Sequence, residues 1–327
     1  MKMMLDIDIK SPADKINYSH KIFLIGSCFT EHIGSRLMEF KFPVIQNPNG
    51  ILFDPVSVSK SLLSYIEQKR YNKSDLLYLN ELWQSWSHHS RFSGMEVAEV
   101  LININNSQQK AHDFLKQADW LIITLGSSFS YLLNEGSQSV ANCHRAPTQW
   151  FKKHLLSIEE TETSLIEAID QLQSFNRKLK IIFTISPVRH IRDGVVENNR
   201  SKARLIEAVQ SIIEKYKHCY YFPAYELVID VLRDYRFYDV DLVHPNYAAT
   251  EFVFDTFKQH FIEEDAQTLM EEIKNIVTGY KHKPFQPETT SHQAFLKSYS
   301  QKVIQLQQKY PHLNFDEELC YFAKRKV

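Results

Sequence analysis

Two segments far apart in the chain carry residue types that can do chemistry together. The apolar run Ile22-Phe23-Leu24-Ile25 leads into Gly26-Ser27-Cys28-Phe29-Thr30. A buried strand that breaks at Gly26 into a helix presents a hydroxyl or a thiol at the strand's carboxyl end. Much later, Asp241-Leu242-Val243-His244-Pro245 sets an acid three residues before a histidine. A carboxylate so placed can hold one ring nitrogen and leave the other as a base. A nucleophile early and a base late are the parts of covalent catalysis, in a hydrolase or a transferase. Each segment also has a plainer reading. A cysteine after an apolar strand is often a small buried hydrophobe, Ser27 suits a helix N-cap, and Asp-x-x-His-Pro suits a capped turn.

Positioning such groups is the work of the surrounding elements. Apolar runs at residues 22–25, 42–45, 120–125, 180–185 and 218–222 are long enough for strands and too short for helices. Helical patterns at 157–174, opened by the capping-box residues Ser157 and Glu160, and at 199–217 separate the last three runs. Strands alternating with helices predict an α/β fold with a parallel sheet covered on both faces. Ligands of such sheets bind beyond the carboxyl ends of the strands. That sets residues 26–30, 47–50, 126–131 and 186–190 at one rim. Helix is expected to continue over 257–276, with a loop over 280–293, an amphipathic helix over 294–309 and a short tail. Residues 1–262 read as one domain and 263–327 as a C-terminal helical extension, too small for much core of its own.

The chain has 327 residues, 43% of them hydrophobic, enough for a sizeable core. Its 38 basic and 39 acidic residues leave a net charge of −1, which speaks against general attraction to nucleic acid or an anionic membrane. Cys28, Cys143, Cys219 and Cys320 are scattered without a CxxC pair, unlike a disulfide scaffold or a zinc ribbon. No signal-peptide pattern opens the sequence, and no apolar stretch reaches the roughly 20 residues that span a bilayer. The expectation is a soluble, cytoplasmic protein with reduced thiols.

The segment Gly26-Ser27-Cys28-Phe29-Thr30 resembles the name-giving motif of the GSCFA domain family. So do Asn47-Pro48-Asn49-Gly50-Ile51, Val140-Ala141-Asn142-Cys143-His144, Ser186-Pro187-Val188-Arg189-His190 and the stretch from Phe237 to Pro245. The resemblance runs from Ile22 to Ile262, and the remainder to Val327 is also typical. That family is in turn similar to the SGNH, or GDSL-type, esterase superfamily. The similarity implies a three-layer α/β/α fold with a flavodoxin-like sheet. It also implies a catalytic Ser after the first strand, oxyanion donors from a Gly and an Asn, and a late Asp-x-x-His. Carried over, Asp241 and His244 become orienter and base, and Gly50 an oxyanion donor. Where the superfamily has Gly-x-Asn, this chain has Gly126-Ser127-Ser128, so Ser128 or Asn142 must stand in. The nucleophile position falls on Cys28, with Ser27 in the place before it and as the alternative.

The implied activity is that of an acyl-ester hydrolase or acyltransferase without a cofactor, and the family's association with polysaccharide esters points to a carbohydrate or glycoconjugate substrate. A helix N-terminus and a nearby histidine are expected to lower the pKa of the Cys28 thiol. Arg189 and His190 at the fourth rim segment, His144 after the third strand, and Trp86 with His89 are the candidate substrate-binding residues. Two other classes compete. A degenerate hydrolase fold would only bind, a reading favoured by the missing Asn. A metal site would gather His88, His89, His144, His190 and His244 with Cys28 or Cys143, although no close pair has a standard ligand spacing.

Overall fold

The computed structural model describes residues 4–136 and 138–323. Strand β1 (Ile22–Gly26) runs into helix α1 (Cys28–Glu39), which returns to β2 (Val44–Gln46). Helix α2 (Pro55–Ile66), the hairpin of β3 (Leu77–Leu79) and β4 (Leu82–Gln84), and α3 (Val97–Leu115) lead to β5 (Trp120–Leu125). A small antiparallel sheet follows, made of β6 (Phe129–Leu133), β7 (Ser139–Val140) and β8 (Phe151–Leu155). Next come α4 (Ile158–Phe175), β9 (Lys180–Ile185), α5 (Val195–Lys215) and β10 (Cys219–Tyr221). The short α6 (Ala224–Glu226) opens into a π-helical turn, Leu227–Leu232. Four helices close the chain: α7 (Tyr247–Phe261), α8 (Glu264–Lys281), α9 (Thr290–Lys309) and α10 (Asp316–Ala323).

The central sheet has the order β10-β9-β5-β1-β2, every pair parallel. Taken along the chain this is the flavodoxin-like 2-1-3-4-5 order, whose switch point lies between β1 and β5. Side chains alternate across the strands, as the period of two requires. Ile22, Leu24, Trp120 and Ile122 join α1 and α7–α10 in one core; Phe23, Ile25, Leu121 and Ile123 join α2–α5 in the other. The result is a three-layer α/β/α fold. Among the described residues no helix is long and apolar enough to cross a membrane.

Two expectations fail. The helix expected across 257–276 is broken at Ile262 and Glu263. There the chain leaves the helix to pair with the N-terminal segment: Ile16 N–H donates to Phe261 O at 2.8 Å, and Glu263 N–H donates to Ile16 O at 2.9 Å. No Gly or Pro marks the break, since a tertiary contact makes it. The expected tail carries α10 instead, with Leu313, Phe315 and Phe322 buried against the same core as α1.

Candidate active site

Gly26 closes β1 with φ +142°, a conformation L side chains rarely adopt. A Cβ here would stand 2.1 Å from the Thr124 carbonyl oxygen of β5. Its N–H donates to Asn47 Oδ1 at 2.8 Å, which ties the first rim segment to the second. Ser27 holds the N-cap position of α1 but makes no side-chain capping bond, and its Oγ is buried without a partner. The first amides of α1 are therefore uncovered by any capping side chain. Cys28 begins the helix, half-buried and packed on the α1–α7 core. The expected fall in its pKa is reversed. Burial pushes the thiol up; the Phe29 and Cys28 amides and the Lys202 charge pull it back without overcoming burial.

At the far end of the domain, His244 Nδ1 meets Asp241 Oδ2 at 2.6 Å. Asp241 Oδ1 also accepts the Val243 and His244 N–H groups at 2.9 and 3.0 Å. The His244 amide and ring, with the Val243 amide, lower the Asp241 carboxyl to about 2. With Nδ1 donating to the carboxylate, Nε2 carries the free lone pair. The turn is closed by Leu242 in the left-handed region (φ 58°) and docks on the β9 rim, where Arg189 N–H donates to Val243 O at 3.2 Å. A charge on His244 disfavours protonation of both His32 and His190, which sets the three rings in one neighbourhood. His32 lies one turn beyond Cys28 on α1. No hydrogen bond joins Cys28 to His244 among the described residues.

Between these ends, three groups close around Gly126. A Cβ there would be 3.2 Å from Ser27 Cβ, 3.2 Å from Phe53 Cδ1 and 3.3 Å from His190 Nε2. The His190 ring stands edge-on to Phe53, and its Nε2 is buried without a partner. Burial and the Lys202 charge lower its pKa to about 4, so it is neutral at pH 7. Lys202, fully buried on α5, donates from Nζ to Gly126 O at 2.7 Å and Ser186 O at 2.6 Å, binding the ends of β5 and β9 together. Burial draws it down to about 7, against the opposing pull of Cys28. Sequence reasoning missed this lysine. Its signal was the helical period of α5, where Asn198, Lys202, Leu205, Val209 and Ile212 share the buried face.

Two of the three expected oxyanion donors, Gly50 and Ser128, are engaged elsewhere. Gly50 N–H donates to Asn47 O at 2.7 Å and closes a turn. Ser128 gives its N–H to Ser201 Oγ at 2.8 Å and its hydroxyl to Ser201 O at 3.1 Å. Asn142 Oδ1 accepts the His144 N–H at 2.9 Å, which leaves the side-chain Nδ2–H2 without a hydrogen bond among the described residues. The donors left at this rim include the first amides of α1. Among the expected substrate-binding residues, His144, Arg189 and His190 line a cleft of about 820 Å³ beside the His244 turn, and Asn142 lines it with them. Arg189 lies over the Tyr238 ring at 4.4 Å rather than in an ion pair. Trp86 and His89 are not among the residues that line the cleft. The Trp86 carbonyl accepts the Ala141 N–H at 2.8 Å, and His89 caps a 3-10 turn and packs on Gly50. Among the described residues, no three His, Cys, Asp or Glu side chains form a group that could hold a metal ion.

Residues 21–257 match the GSCFA family, and residues 273–326 match the GSCFA domain protein, C-terminal domain. Among solved structures, a carbohydrate esterase family 3 protein from Talaromyces cellulolyticus is 9% identical with a TM-score of 0.37, over 78% of this chain and 99% of that one. The acetyl xylan esterase Est2A from the rumen bacterium Butyrivibrio proteoclasticus is 11% identical with a TM-score of 0.36, over 74% of this chain and 64% of that one. No curated protein matches the sequence.

Proposed function

This chain belongs to the GSCFA family, and from that premise and the chemistry of its rim we propose an acyl-ester hydrolase or acyltransferase that works through a covalent acyl-enzyme. The observation that carries the reading is the Asp241–His244 pair, locked at 2.6 Å with Nε2 free, on the same rim as the uncapped α1 N-terminus. Cys28 Sγ attacks the acyl carbon, and the thiol proton passes to His244 Nε2. Collapse of the tetrahedral adduct breaks the ester C–O bond, and His244 returns the proton to the leaving alkoxide. Asp241 holds the ring and stabilises its charged form. The oxyanion faces the first amides of α1, where the helix dipole also favours negative charge. Water or a second alcohol or amine then takes the acyl group from the thioester. Residues 1–262 are assigned to this chemistry and 263–327 to a helical extension.

A second reading makes Ser27 the nucleophile beside His190. It is favoured by the buried, unpartnered Ser27 Oγ and His190 Nε2, whose side chains both close around Gly126. A binding module without catalysis is supported by the engaged state of Gly50 and Ser128. One experiment separates the three. The chain is quenched in acid after mixing with p-nitrophenyl acetate, digested and read by mass spectrometry. The expected acetyl adduct sits on Cys28, is discharged by hydroxylamine, and forms at least about a thousandfold more slowly in His244→Ala. An adduct on Ser27 moves the nucleophile to the hydroxyl. No adduct on either residue leaves a binding protein.

A further inference from the structure

The cleft beside the rim has a composition that the acyl-transfer chemistry does not use. Phe129 and Tyr131 of β6 and Phe151 of β8 give it half-buried aromatic walls. Arg145, Arg189 and Arg192 line it as well. Arg145 and Arg192 are exposed, and no hydrogen bond or ion pair engages either among the described residues. The cleft's acids do not offset them. Asp193 is paired with Lys153. Asp54 is buried as the N-cap of α2, accepts the Ser57 N–H at 3.0 Å, and is pushed up by burial. The cleft is therefore cationic within a chain of almost zero net charge.

A second, independent feature points to a ligand. His144 is only 6% exposed and lines the same cleft. Its Nε2 lies 2.7 Å from the Ser85 carbonyl, which can only accept, so Nε2 carries the proton and Nδ1 is a bare acceptor. That Nδ1 is buried and has no partner. A buried acceptor without a donor is costly unless a ligand supplies one. His144 and Arg145 are held in the left-handed region, at φ 49° and 58°, so the turn that presents both is strained.

We propose that this cleft binds an acidic sugar, a carboxylate-bearing pyranose whose ring lies on the aromatic walls. The carboxylate takes the guanidinium groups of Arg145 and Arg192, whose planar forks match it. A ring hydroxyl donates to His144 Nδ1. The proposal names the substrate class of the acyl-transfer centre and rests on the cleft serving that centre: the acyl group would be carried on a hydroxyl of the acidic sugar.

Calorimetric titration of the full chain with tetragalacturonate and with neutral xylotetraose tests it. The acidic oligosaccharide should bind at least about tenfold more tightly and weaken as salt is raised. An Arg145→Asn, Arg192→Gln double variant should lose about tenfold or more in that affinity. Asn tolerates the left-handed backbone at 145, and an unchanged melting curve establishes that the variant is folded. Equal affinity for the two oligosaccharides, binding of neither, or affinity unchanged in the double variant overturns the proposal. The two readings fail separately. Selective binding of tetragalacturonate without any acetyl adduct from p-nitrophenyl acetate refutes acyl transfer and keeps the cleft assignment. An adduct on Cys28 without preference for the acidic sugar does the reverse.

Discussion

Lys202 shows how one side chain can answer to both stability and chemistry. Unfolded, it holds a proton up to its ordinary 10.5; folded, it does so only up to about 7. Between those values the unfolded chain binds more protons, so stability rises with pH across that window; the cost of burying the charge is fully present below it. Urea denaturation of the wild type at pH 7 and pH 9.5 should therefore show a gain that Lys202→Met lacks. The same pH dependence in both would mean that Lys202 stays charged and acts only as a strut between β5 and β9. Asp241→Asn is expected to cut the rate of acyl transfer by about a thousandfold or more, because an amide no longer stabilises the charged ring. An unchanged rate would reduce the pair to a turn. At this scale the sequence was partly legible. Asp241 and His244 meet through a local turn, which residue types can announce. The engagement of the Gly50 and Ser128 amides, by the Asn47 carbonyl and the Ser201 hydroxyl, depends on packing that no residue type reveals, and Lys202 reads as solvent-facing until its helical period is counted.

Strands buried on both faces were the most legible elements: the runs at 120–125 and 180–185 coincide with β5 and β9. The cleft's antiparallel sheet was missed because its strands are half-exposed and lack a continuous apolar run. The junction of β1 and α1 depends on Gly26. Gly26→Ala must move either a left-handed backbone or the Thr124 carbonyl, and both choices disturb the β1–β5 pairing. The expected cost is about 3 kcal/mol or more, measured by chemical denaturation. A loss under about 1 kcal/mol would show that the strand end yields freely. The break at Ile262 was illegible for a different reason, since its cause lies more than two hundred residues away at Ile16.

The whole molecule links the extension to the site. Ala266, Leu269, Ile273 and Phe315 share a core with Phe29, Ile33 and Leu37 of α1. Just beyond α1, Lys41 pairs with the buried Glu318 of α10 at 2.7 Å. A chain ended after Ile262 should expose that face, aggregate, or melt roughly 10 °C or more lower. A truncated chain of unchanged melting temperature would make the extension a separate unit. The parallel order of the sheet has one more consequence, in time. Cys28 is synthesised more than two hundred residues before His244, an interval of about 10–40 s at ordinary elongation rates. Throughout it the thiol lacks the finished core that buries it, and it stands open to oxidants with no base beside it. The proposed acyl-transfer centre is therefore completed all at once, at the end of the domain, and the price of that order is a cysteine exposed to damage for most of its own translation.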